Sequence, residues 1–376
     1  MREAIERVLR INLGARRGEA LLVLGDRINR KREERQSPEE EERRNATTAL
    51  ISLFAEAGRE MGLRVREVIY PALGAHGKEP PEEAWTLAFG EKTVEELKKK
   101  GLFHRLLAKE AGVFEESLKV VMERRDEVVD VVVAIPHYST SHTSFRKLIT
   151  EGGGRYASMP LFDPKMLTTS LAVDLNQLKP LTEEMAHLLT EAQEAIITSE
   201  DGTNLRMALE GRRGVADTGD LTLPGSFGNL PAGEAFVAPV EGSAAGTYVT
   251  LWGPTRRLSR PTSFTVADGL LQKVEGDPEL SRYLQGAFQE HPGARNLAEL
   301  GIGTNPRATR PDNILEAEKI LGTVHIAFGD NSTFGGKVKV PFHQDFVLFK
   351  PTLLLKGRGW ERVVIDRGEV KLDRYT

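Results

Sequence analysis

The stretch VVDVVVAIP at residues 128–136 constrains the fold of this chain more than any other. It is nearly continuous in valine, with Asp130 as its single charge. A β-branched run that does not alternate with polar residues reads as a strand covered on both faces, the situation in a parallel sheet flanked by helices. It is far too short to span a bilayer. The neighbouring sequence supplies the rest of such a sheet. ALLVLGDR (20–27) is a short apolar run ending in Gly-Asp, and VREVIYP (65–71) and RYASMP (155–160) read as further strands. ATTALISLFAEAGREMG (46–62), VEELKKKGLFHRLLAKE (94–110), SHTSFRKLITEGGG (141–154) and LTEEMAHLLTEAQ (181–193) carry helical periodicity, the third with a hydroxyl cap and a glycine stop. This βα rhythm predicts an α/β N-terminal doubly wound domain over residues 1–192.

The texture then changes. AFVAPVEG, GTYVTLW, FTVADGLLQKVEG and KVKVPFHQDFVLF are short and alternating, separated by Gly, Pro, Asn and Asp. They predict a β-rich α+β C-terminal domain over residues 193–376, the half that also carries the metal-site candidates below, with helical pieces near 278–289 and 312–320. At 376 residues the chain suits two domains better than one core. The charged stretch NRKREERQSPEEEERRN (29–45) reads as a solvated loop or the start of a charged helix.

Charge and composition narrow the function. The net charge is −4 with both signs interspersed, which is no footprint for nucleic acid or anionic lipid. The absence of cysteine excludes disulfides, thiolate zinc sites and cysteine nucleophiles. The N-terminal MREAIERVLRINLGARRGE is charged and amphipathic rather than a signal sequence, so the chain reads as soluble and cytoplasmic. HExxH, GxxxxGK[ST] and GxSxG motifs are absent, and nothing supports a dinucleotide or nucleotide enzyme. HYSTSHTSF (137–145) clusters hydroxyls around His137 and His142, where helix capping is the favoured explanation. Arg206 reads as an ordinary strand charge.

The remaining chemistry lies in the second half. Two of the eight histidines, His325 and His343, flank HIAFGDNSTFGGKVKVPFHQD. His343 and Asp345 are two apart in a strand-like context, so both side chains fall on one face. Glu234 opens an apolar strand after Pro-Ala-Gly, Glu299 sits among apolar neighbours before a run of glycines, and Glu318 lies in LEAEKILG. Each stands where a turn meets an apolar segment. Four carboxylates and two imidazoles are an inventory for two divalent ions sharing a bridging carboxylate. The same residues contain a two-histidine, one-carboxylate triad suited to non-heme iron. Residue types alone leave both open.

GNLPAGEAFVAPVEGSAAG, NLAELGIGTNP, EKILGTVHIAFGDN and the HQD triplet, with GRYASMP and GTNLRMALEGR earlier, resemble the aminopeptidase T and aminopeptidase S family of metallopeptidases, over roughly residues 130 to 370. That resemblance implies a metallo-aminopeptidase, a hydrolase that removes N-terminal residues from peptides as a homodimer. It implies two divalent ions (zinc, cobalt, magnesium or manganese) held by Glu234, Glu299, Glu318, His325, His343 and Asp345, with Glu299 or Glu234 moving the proton. The sequence departs from that pattern where the family carries a tyrosine after its HIALG segment: here the nearest residues are Ser332 and Phe334. The spacing of seven from Glu318 to His325 is also long. Dihydroxypyridine ring-cleaving dioxygenases resemble the same superfamily, and imply one Fe(II) on His325, His343 and Asp345. A metal that only staples the β domain is the third expectation.

Overall fold

The computed structural model describes residues 1–33 and 36–372. Contacts divide the chain into two compact units, Met1–Ala172 with Gly219–Pro231, and Val173–Thr218 with the chain from Ala232 onward. The helix read near 181–193 thus groups with the second unit, and a later loop with the first. The fold is mixed α/β, with one parallel sheet and two antiparallel sheets among the described residues.

In the first unit, β1 (Ala20–Arg27), β2 (Arg64–Pro71), β3 (Val131–Ala134) and β4 (Arg155–Ser158) run parallel in the order β2-β1-β3-β4, with Phe227–Asn229 as the fifth strand beside β4. Val131, Val132 and Val133 are completely buried, as the unbroken valine run requires. The order reverses between β1 and β3. Helix α1 (Pro38–Glu60) is longer than its apolar periodicity alone predicts. The Ser37 side chain accepts the Glu40 N–H and Pro38 occupies the first turn, so the charged stretch feeds directly into the helix. Residues 34 and 35 of that stretch lie outside the described residues. The single helix read over 94–110 is two, Glu91–Lys99 and Leu102–Leu107, because Gly101 adopts φ +69° and stops the first.

The second unit packs an eight-stranded antiparallel sheet and a five-stranded one around a common apolar core. Helix α2 (Leu175–Glu191) adds Leu181, Met185, Ala186 and Leu189 to it. The smaller sheet holds β5 (Val215–Asp217), β6 (Glu234–Val237), β7 (Leu297–Gly303), β8 (Val324–Gly329) and β9 (His343–Leu348), in the spatial order β9-β8-β7-β6-β5. Period-two alternation sorts its side chains. Ala235, Val237, Leu300, Ile302, Val324, Ile326, Phe346 and Leu348 enter the core. Glu234, Glu299, His325, His343 and Asp345 alternate with them and share the opposite face. Among the described residues, no helix is long and apolar enough to cross a membrane.

Candidate metal centre

Five of the six ligand candidates, all but Glu318, are set by strand register. Gly301 pairs with His325, and Ala327 lies between Glu299 on one side and Asp345 on the other. The small residues leave room for the large ones. A Cβ at Gly301 would come within 2.0 Å of His325 Nε2. Glu299 sits within a wholly buried strand and is 6% exposed.

The donors converge. His325 Nε2 lies 3.3 Å from Glu234 Oε2 and 3.3 Å from Glu299 Oε1. His343 Nε2 lies 3.4 Å from Glu299 Oε2 and 3.5 Å from Asp345 Oδ1. Glu299 therefore touches both imidazoles, one with each oxygen. Two overlapping donor sets result, Glu234–Glu299–His325 and Glu299–His343–Asp345, with the atoms of each set within 4.8 Å of one another. His343 Nδ1 donates to the Asp330 carbonyl at 2.8 Å, which fixes the tautomer and leaves Nε2 free to bind a cation.

Glu318 is placed differently from the other five. Its Oε1 accepts a hydrogen bond from Lys319 Nζ, which also donates to Glu234 Oε1 at 2.6 Å. Lys319 is fully buried. Sequence reasoning did not single it out; the available signal was a lysine between Glu318 and the apolar pair Ile320-Leu321.

The electrostatics favour a cation. Burial should push both imidazoles down, but the carboxylates reverse that: Glu234 and Glu299 hold His325 up at about 10, and Asp345 and Glu299 hold His343 well above its usual range. Burial would raise Glu299, yet His325 and His343 hold it down at about 2. Burial raises Glu318 to about 8, against the pull of Lys319. Such a pocket demands positive charge, supplied by imidazole protons or by a metal that displaces them. Glu234 Oε2 and His325 Nδ1 lack a hydrogen-bond partner, so donor capacity is also left over. Mixed imidazole nitrogen and carboxylate oxygen suit a borderline divalent first-row ion. The residues present fit a metal ion.

In the loop before β9, the side chain beside His343 is an aromatic ring. The Phe334 ring stands edge-on to His343 at 6.0 Å and to Phe236 at 5.4 Å. Ser332 is exposed and turns back onto Asp330 at 3.0 Å.

In the first unit, His137 belongs to a separate polar cluster after β3. Its backbone N–H donates to Asp26 Oδ1 at 2.9 Å, and Arg43 Nη2 approaches its Nδ1 at 3.3 Å. Burial, with Arg44 and Arg43, holds its imidazole down at about 2, so it is neutral. Burial raises Asp26 to about 6, against the His137 N–H and Arg44. The folded state therefore prefers protonated Asp26, and this contribution to stability is lost as pH rises from about 4 to about 6. Holding that proton up to about 6 rather than the ordinary 3.8 corresponds to about 3 kcal/mol. The stability difference between Asp26→Asn and the wild type should move in the variant's favour by about that amount between pH 4 and pH 7. Calorimetric melting at both pH values checks this, and a pH-independent difference contradicts it. Arg206 is exposed on its strand.

Comparison with known proteins separates the possible chemistries. The family model NicX, 2,5-dihydroxypyridine 5,6-dioxygenase, matches residues 43–372. The 2,5-dihydroxypyridine 5,6-dioxygenase of Pseudomonas putida is 26% identical over 265 residues, covering 66% of this chain and 72% of that protein. The solved structure of 2,5-dihydroxypyridine dioxygenase from Pseudomonas putida KT2440 superposes with a TM-score of 0.68 at 18% identity, covering 100% of this chain and 97% of that one. Wild-type AmpT from Thermus thermophilus superposes with a TM-score of 0.62 at 15% identity, over 99% and 98%. At such identities the two structures establish a shared fold.

These findings correct the expectation of a metallo-aminopeptidase. The family model and the curated relative both name a dioxygenase, an oxidoreductase rather than a hydrolase. In this chain the ring edge-on to His343 is Phe334, which carries no hydroxyl, and Lys319 engages two of the six carboxylate and imidazole groups expected to hold a metal pair. Matched over residues 43–372, the chain belongs to the 2,5-dihydroxypyridine 5,6-dioxygenase family.

Proposed function

We propose that this chain is a mononuclear non-heme iron dioxygenase that opens the ring of 2,5-dihydroxypyridine or a close diol. The observation that carries the reading is the convergence of two imidazoles from neighbouring strands, His325 and His343, on one carboxylate, with Asp345 beside them. His325, His343 and Asp345 would hold the ion, the two-histidine, one-carboxylate set of non-heme iron oxygenases. When bound, ferrous iron supplies the one-electron chemistry that lets oxygen react with an electron-rich aromatic ring. Asp330 keeps the His343 ring oriented through its carbonyl. Glu299, held as a carboxylate between the imidazoles, is the candidate to accept a proton from a substrate hydroxyl. Glu234 is kept ionised by Lys319 and His325 and orients the His325 side of the centre. The C5–C6 bond breaks, both oxygen atoms enter the product, and no external reductant is consumed.

Protein purified without metal and loaded anaerobically with Fe(II) should take up one equivalent of oxygen per 2,5-dihydroxypyridine added. Oxygen uptake indistinguishable from free Fe(II), with this substrate and related diols, would overturn the reading.

A further inference from the structure

We propose that Lys319 is a built-in cation occupying the place of a second metal ion, and that its ammonium is what keeps this position from taking one. The inference rests on the reading of an iron-holding centre. It concerns which positive charge sits at each end of Glu234.

Glu234 divides its two oxygens. Oε1 accepts from Lys319 Nζ at 2.6 Å, while Oε2 faces His325 Nε2 at 3.3 Å. A carboxylate that spans two cations is the bridging ligand of a two-metal site. Here the cation at one end is an ammonium of the chain itself. Glu318 completes its cradle, and Asp217, paired with Glu234 across β5 and β6, adds negative charge on the same side. Glu234, one of the two carboxylates gripping Nζ, is also a member of the donor set that a second ion would need.

The backbone holds the lysine in place. Helix α3 (Ile314–Ala317) is a single turn capped by the Asn313 side chain on the Leu315 N–H. The Lys319 N–H then donates to the Glu316 carbonyl at 3.0 Å, and the Lys319 carbonyl accepts the Asn305 N–H at 2.8 Å. Asn305 in turn donates its side-chain N–H to the Ala232 carbonyl at 2.8 Å, two residues before Glu234. One short network therefore fixes both the lysine and the start of the strand carrying its partner. Lys319 is 0% exposed, so its ammonium cannot swing to solvent and vacate the position. A divalent ion entering there would meet a fixed like charge.

The test is ion stoichiometry, independent of turnover. Wild-type protein, Lys319→Met and Lys319→Arg are each loaded with Co(II), desalted and analysed for metal per chain. About one ion in the wild type and in Lys319→Arg, rising to about two in Lys319→Met, is the expected result. One ion in both the wild type and a folded Lys319→Met overturns the proposal, as do two ions in the wild type. No ion in the wild type under any loading overturns the iron-centre reading itself, and this inference with it. If Lys319→Met does not fold, Lys319→Gln is read by the same count: about two ions per chain support the proposal, and one ion overturns it.

Discussion

Gly301→Ala should strip the centre of its iron while leaving the chain folded. The position has an ordinary extended backbone, so alanine adds no conformational strain there. The demand is for space. A Cβ would lie 2.0 Å from Nε2 and 2.2 Å from Cε1 of His325, the cross-strand partner. His325 is 0% exposed and cannot turn outward to relieve the clash. The ring or the strand must shift, and a metal ligand misplaced by even part of an ångström no longer binds well. Overpacking of this kind costs about 1–3 kcal/mol, so the melting temperature falls by a few degrees. Iron affinity falls by more than about 100-fold, beyond the loss seen on removing an outer partner of a metal ligand. Iron per chain, read beside far-UV circular dichroism, checks this. Wild-type iron content in the alanine variant would contradict it.

His343→Gln should have an equally large effect on chemistry by another route. The imidazole is held by the Asp330 carbonyl so that Nε2 faces Glu299 and Asp345. Glutamine keeps a similar length and polarity but offers only a weak amide oxygen in place of an imidazole nitrogen. Oxygen uptake with 2,5-dihydroxypyridine should fall by at least about 100-fold, and Fe(II) should be lost on desalting. The metal-free variant also loses stability, because Glu299 and Asp345 no longer have an imidazole between them. Iron content is therefore measured on the monodisperse fraction after gel filtration. A variant that retains both iron and turnover would remove His343 from the ligand set.

Much of this arrangement could be read from the sequence, for identifiable reasons. The valine run and its neighbours specify a parallel sheet because strands buried on both faces cannot alternate. His343 and Asp345 share a face because a strand has period two. Glu234, Glu299 and His325 stand out as polar groups at the edges of apolar segments, and the register of β6, β7 and β8 brings them together. Lys319 was invisible for the opposite reason. Lysine is almost always a surface residue, and its partner Glu234 lies 85 residues earlier in the chain. The break at Gly101 was hidden by helical periodicity on either side of it.

The reaction was the least legible feature. The carboxylate and imidazole inventory fits a hydrolytic metal pair as well as a single iron, and the same fold superposes on AmpT and on a dioxygenase. The chain's own local features are an aromatic ring without a hydroxyl beside His343 and an ammonium between Glu234 and Glu318. The ammonium between Glu234 and Glu318 does not declare itself without the packing of segments distant in sequence.

The central claim is that oxygen itself enters the substrate at the His325, His343 and Asp345 centre. The direct test is a single-turnover reaction of the Fe(II)-loaded protein with 2,5-dihydroxypyridine under ¹⁸O₂, followed by mass spectrometry of the ring-opened product quenched before exchange with water. Both labelled atoms in one product molecule are predicted. A product whose new oxygen comes from water, or an intact ring after oxygen exposure, would contradict the account.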